Sequence, residues 1–140
     1  MKTAVIFYSF GGFTRKFAEH EAKRRNAQLF EVKEQKKTNM VTAVLFGCPR
    51  AMRQKTVSLE SPVPDLSAYD TILIAAPIWA NYPAPAFNNI VKALPKGKNI
   101  VLVFTSGSGD SSKCRDSVKK LIDATGSWVV DIKDIKSGKK

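Results

Sequence analysis

With 140 residues, 44% of them hydrophobic and 25% charged, the chain suits one domain spanning 1–140 that buries its own core. No apolar run approaches the length of a membrane span. The stretch "TAVIFYSF" after Lys2 is too short for a secretion signal, lacks a small-residue cleavage site and runs into glycines, so a cytoplasmic protein with no membrane partner is expected. The formal net charge of +11 sets up a positive field that attracts anions, acidic partners or nucleic acid, while no stripe of interleaved aromatics points to a nucleic-acid platform.

Residues 3–8, "TAVIFY", are nearly all apolar, as in a central strand covered on both faces. Phe13, Phe17, Ala18 and Ala22 then recur at helical spacing with charged residues between them, which predicts an amphipathic helix over 13–25. "AQLFEVKE" alternates like an edge strand. Val41, Val44, Leu45 and Cys48 suggest a second helix within 38–56, broken or kinked at Pro49. "LESPVPDLSAYD" reads as a loop and "TILIAA", 71–76, as a second buried strand. Pro83 and Pro85 precede a helix with Phe87, Ile90, Val91 and Leu94 on one face.

"KNIVLVF", 98–104, is a further buried strand. After the loop "TSGSGDSSK", Cys114, Val118, Leu121, Ile122 and Thr125 mark a last helix face, with Ser111 or Ser112 as N-cap and Gly126 closing the C-terminus. "SWVVDI" is the fifth strand. The two cysteines, Cys48 and Cys114, form no CxxC and read as reduced, partly buried thiols.

Strands and helices that alternate in this way predict an α/β fold, a doubly wound parallel sheet with helices on both faces. Such sheets bind ligands beyond the carboxyl ends of their strands, so three loops are the candidates. The first runs over Ser9, Phe10, Gly11, Gly12, Phe13 and Thr14. It is either an ordinary glycine turn or an anion cradle, built from close backbone approach, two hydroxyls and the N–H groups of a helix start. The second holds Pro77, Ile78, Trp79, Ala80, Asn81 and Tyr82, whose rings either cover a loop or flank a flat ligand. The third holds Thr105, Ser106, Gly107, Ser108, Gly109 and Asp110, small and polar enough to lie against a ring edge.

Several chemistries are excluded. No GK[ST] follows the first glycines and no GxGxxG follows the first strand, against a Walker-type or dinucleotide loop. A phosphotransfer receiver would need acids after the first strand and an aspartate ending the third, where Ser9-Phe10 and Ala75-Ala76 stand. His20 lies among charges in the first helix and reads as a surface residue. No Ser-His-Asp set or metal-ligand cluster is visible.

"IFYSFGGFT" resembles the phosphate-loop motif of flavodoxins, roughly [ST]-x-T-G-x-T, with Ser9, Gly12 and Thr14 on its fixed positions. "YDTILIAAPIWANYPAPAFNNIV" resembles their YD-x-I-x-x-G-x-P-x-W stretch, and "FTSGSG" their third loop. The resemblance covers the element order of essentially the whole chain. It implies strand order 2-1-3-4-5 and FMN at the switch point between the first and third strands. The phosphate would lie on 9–14, and the isoalloxazine beside Ile78, Trp79, Ala80 and Tyr82 with 106–110 at its other edge. The flavin would carry the electrons, with no catalytic side chain required and a low potential.

Three features depart from the family. Gly11 stands where the motif has threonine, removing one hydroxyl from the cradle. Flavodoxins are acidic, whereas this chain carries +11, so a redox partner with an acidic surface is expected. The residues after "WVVDI" are too few and too polar for the usual final helix, so that helix is expected to be missing and the bare sheet face to support a homodimer. The leading expectation is an FMN-binding electron-transfer protein or flavin-dependent oxidoreductase. The alternative is a flavodoxin-fold module without flavin that binds a partner or polyanion through its basic surface.

Overall fold

The computed structural model of the chain describes residues 2–35 and 54–137. Its elements are β1 (Thr3–Phe7), α1 (Phe13–Arg25), β2 (Gln28–Glu31), β3 (Thr71–Trp79), β4 (Tyr82–Pro83), α2 (Pro85–Lys92), β5 (Asn99–Ser106), α3 (Arg115–Asp123) and β6 (Trp128–Lys136). The helix expected within 38–56, with Cys48, falls almost wholly outside the described residues.

The main sheet is parallel in the order β2-β1-β3-β5-β6, with the two-residue β4 pairing antiparallel to the end of β3. Counted without β4, this is the expected 2-1-3-4-5 order. Side chains alternate across β1 into two cores. Ala4, Ile6 and Tyr8 join Phe87 and Ile90 of α2 and Val118 and Ile122 of α3 on one face. Val5 and Phe7 join Ala18 and Ala22 of α1 on the other. Phe87 and Phe104 meet edge-on at 5.7 Å, both fully buried, and each such side chain contributes about 1.5–3 kcal/mol.

α1 buries Thr14, Ala18, Glu21 and Ala22, and the two alanines let the helix lie close to the sheet. Phe13, expected on that face, is instead exposed at the helix start. Glu21 is 5% exposed yet charged, because Arg24 and Arg25 both donate to it. α2 begins with Pro85, whose missing N–H costs nothing there. Its Asn89 accepts from the Val57 N–H and donates to the Val57 carbonyl, fastening the long connection to the helix.

The start of α3 and the end of β6 differ from expectation. Cys114, not Ser111 or Ser112, precedes α3, since Asp110 takes the Ser112 N–H and Ser111 is buried. β6 does not stop at Ile132 but runs to Lys136, because every residue from Asp131 onward keeps register with β5. A register shift at Ile100/Val101 leaves Val130 bulged out and 53% exposed. Beside Val101 and Val103, β6 presents Asp131 and Lys133, so this sheet face is charged along its outer strand, with Trp128 and Val130 its exposed apolar groups. Among the described residues no helix follows β6.

Candidate functional site

The first candidate loop leaves the end of β1 and turns into α1. Gly11 (φ +84°) and Gly12 (φ +94°) are both left-handed, a conformation that side chains resist. A Cβ added at either would meet nothing within 4 Å, so the turn faces open space. The N–H groups of the first helical turn have no intrahelical acceptors, the N-cap residue Gly12 has no side chain to take them, and no acid occupies that turn. The Ser9 hydroxyl accepts from the Arg15 N–H at 3.2 Å and keeps its own hydrogen to donate.

Thr14 is turned inward. Its hydroxyl lies 2.7 Å from that of Thr105, both residues almost fully buried, and either can donate. This bond ties the first loop to the end of β5. Arg15 does not enter the cradle: it pairs with Glu31 and its guanidinium lies 5.9 Å from the Phe7 ring centre.

The second candidate stretch is largely strand. Pro77, Ile78 and Trp79 end β3, and Tyr82 begins β4. Between them Ala80 (φ 51°) and Asn81 (φ 73°) are the central residues of a two-residue hairpin, both at positive φ as a type I′ turn requires. Asparagine tolerates this conformation and alanine does so at a cost of about 1–2 kcal/mol. The Trp79 ring receives two edge-on contacts, from Phe10 at 5.5 Å and from Tyr8 at 6.1 Å. Tyr8 donates to Glu34 at 2.6 Å, and burial first, then that carboxylate, holds its hydroxyl far above the usual range.

In the third stretch Thr105 and Ser106 end β5, and residues 107–110 form the loop proper. The Ser106 hydroxyl accepts from the Gly109 N–H, and the Ser108 hydroxyl from the Asp110 N–H. Cys114 lies beneath, fully buried, its thiol pushed up to about 11 by desolvation and then by Asp134.

The predicted residues therefore meet in space. Phe10 with Trp79 joins the first stretch to the second, and Thr14 with Thr105 joins the first to the third. Tyr8 and Asp134 escaped the sequence reading. Tyr8 gives only a strand signal, and Asp134 lies in a polar stretch that carries no strand signal. A cavity of about 550 Å³ opens on the other flank of the first loop, lined by Tyr8, Ser9, Phe10 and Gly11 with Arg15, Glu31, Lys33, Glu34 and Glu60. Neither 77–82 nor 105–110 lines it. Among the described residues no His, Cys, Asp or Glu cluster suits a metal.

A family model, Flavodoxin, matches residues 2–129. The chain belongs to the flavodoxin family. The flavodoxin-like fold extends to solved structures of low identity. One, assigned as a flavoprotein of Bacteroides eggerthii, superposes with TM-score 0.82 at 19% identity, covering 94% of this chain and 86% of that one. A flavoprotein of Lactobacillus acidophilus, solved in complex with FMN, gives 0.73 at 24% identity over 94% and 91%. An NADH:FMN oxidoreductase in its apo form gives 0.53 at 15% identity over 94% and 75%. No curated protein matches the sequence. No helix among the described residues is long and apolar enough to cross a membrane.

Proposed function

We propose that this flavodoxin-family protein binds FMN across its three loops and serves in electron transfer or flavin-dependent reduction. The observation that carries the reading is the left-handed pair Gly11-Gly12, open to space and feeding directly into the acid-free start of α1, where Gly12 offers no side-chain cap and the Phe13 and Thr14 N–H groups have no partner in the helix. That arrangement suits a phosphate dianion, held by backbone N–H groups, the Ser9 hydroxyl and the hydrogen that the Thr14–Thr105 pair does not use. Trp79, braced on edge by Phe10 and Tyr8, offers a fixed aromatic wall, with Ile78, Ala80 and Tyr82 beside it and 106–110 at the opposite edge. Bound there, FMN supplies the redox chemistry. The chain's side chains bind, orient and exclude water, and none is required as acid, base or nucleophile.

The net charge of +11 favours a redox partner with an acidic face, and Trp128 and Val130 favour self-association through β6. A second reading draws on the same charge: a flavin-free module that binds a polyanion or protein partner through its basic surface. The deciding experiment is the visible spectrum of protein incubated with excess FMN and freed of unbound flavin. A retained, perturbed flavin band supports the first reading. A colourless protein that also leaves FMN fluorescence unquenched refutes it and leaves the second.

A further inference from the structure

We propose that Asp134, acting through Arg115, is a positioning residue for the flavin site: it holds the 106–112 loop at the edge where the flavin would lie. The proposal rests on the FMN reading for its ligand but not for its geometry. β6 continues past Ile132, and Asp134, Lys136 and the following Ser137 bear on that loop. The Ser137 N–H donates to the Ser106 carbonyl at 2.7 Å. A side chain at Gly109, which sits at φ +72°, would press on the Lys136 Cβ at 3.1 Å, so the loop lies directly against the strand end. Asp134 accepts from Arg115 Nη2 at 2.6 Å, and Arg115 Nε points to the Ser111 hydroxyl at 3.4 Å. Ser111 is buried, and its carbonyl accepts from both the N–H and the thiol of Cys114. The loop is thus pinned at Ser106 and Gly109 by backbone and at Ser111 by the ion pair.

This pair differs from an ordinary surface salt bridge, which contributes little. The Asp134 side chain is 16% exposed and its second oxygen, Oδ1, is buried without a hydrogen-bond partner. A carboxylate so desolvated depends on its one cation. Removing Arg115 therefore leaves a desolvated charge without its cation and the Ser111 end of the loop without its side-chain tether. The pair governs loop geometry rather than merely adding stability.

The test compares wild type with Asp134→Ala, Arg115→Ala and the conservative Asp134→Glu. Two quantities are read: amide exchange at Gly109 and Ser111 in the flavin-free protein, and FMN affinity with the flavin's spectrum and reduction potential. The alanine variants should exchange these amides at least tenfold faster. They should bind FMN about tenfold more weakly, with an altered band shape and potential, and Asp134→Glu should recover part of each. A folded Asp134→Ala protein with unchanged loop exchange overturns the proposal whether or not FMN binds. Faster loop exchange with unchanged FMN affinity, spectrum and potential overturns its link to the site. Wild type that binds no FMN refutes the functional reading instead, while the exchange result still decides whether the brace exists. If Asp134→Ala does not fold, Asp134→Asn and Arg115→Lys carry the same two readouts.

Discussion

Replacing Thr14 with valine tests how the phosphate loop is joined to the sheet. Thr14 and Thr105 are 1% and 2% exposed and their hydroxyls are 2.7 Å apart. Thr14→Val keeps the shape but strands the Thr105 hydroxyl in a dry site, and Thr105→Val does the reverse. Each single change should cost about 1–3 kcal/mol, the penalty for an unsatisfied buried hydroxyl. The double variant replaces both partners with apolar groups of similar shape and should lie close to wild type. Urea unfolding of the flavin-free protein reads this directly, each single variant losing about 1 M in midpoint at an ordinary denaturant slope. The coupling should exceed about 1 kcal/mol in a double-mutant cycle. Losses that simply add, with coupling below about 0.5 kcal/mol, would falsify the buried pair. FMN separates the two residues further. When Thr105 donates to Thr14, the Thr14 hydrogen is left for the cradle, so Thr14→Val should weaken FMN about tenfold more than Thr105→Val. Equal affinities would remove Thr14 from the phosphate site.

Other consequences are as specific. The Arg24 hydrogen bond, joined by Arg25 and opposed by burial, holds the Glu21 carboxyl down to about 2, against 4.5 in the open chain. Its stabilisation is complete above pH 4.5 and is lost as pH falls toward 2, so Glu21→Gln should flatten acid unfolding in that window; parallel profiles for variant and wild type would contradict this. Cys114, its thiol pushed up to about 11, should ignore a disulfide reagent at pH 8 in native Cys48→Ser protein and react once urea unfolds it. Labelling of the native thiol at the rate of a free one would show the burial to be wrong. Ala80→Gly should relieve the left-handed strain in the 79–82 hairpin and raise Tm by about 2–4 °C, after the flexible open chain is allowed for. An unchanged or lower Tm would mean that the turn is not held at positive φ.

The parts of the fold that were legible from sequence are those where pattern and packing agree. Burial on both faces makes "TAVIF", "TILIAA" and "NIVLVF" continuous apolar runs, and that signal survives without any tertiary knowledge. α1 was bounded correctly because charged residues punctuate it. Of its expected inward face, Ala18 and Ala22 are buried and Phe17 packs against the core, while Phe13 is exposed and Thr14 is buried in its stead. The end of β6 was illegible because an edge strand with one face to water has no need of apolar residues, and "KDIK" therefore looks like a tail. The site was legible as three stretches but not as an assembly. Glycines and aromatics advertise themselves, whereas Thr14 with Thr105, Trp79 with Tyr8, and Asp134 with Arg115 are long-range pairings that no local spacing encodes.

The two readings of function also differ in the kind of charge they use. At the first loop the nearest guanidinium, Arg15, is committed to Glu31, and at the third loop Arg115 is committed to Asp134. The cradle itself offers backbone N–H groups, fixed dipoles that need no counterion and lose little to screening. Lys2, Lys23, Lys96 and Lys98 border the amino ends of the strands and the close of α1, while Lys33 and Lys136 stand beside the first and third loops. A polyanion held there would displace counterions, and its affinity would fall steeply with added salt. A phosphate held in the cradle would respond far more weakly. The proposed cradle relies on glycine, hydroxyl and helix start and the polyanion reading on lysine and arginine, so the salt dependence of each binding event tells the two apart.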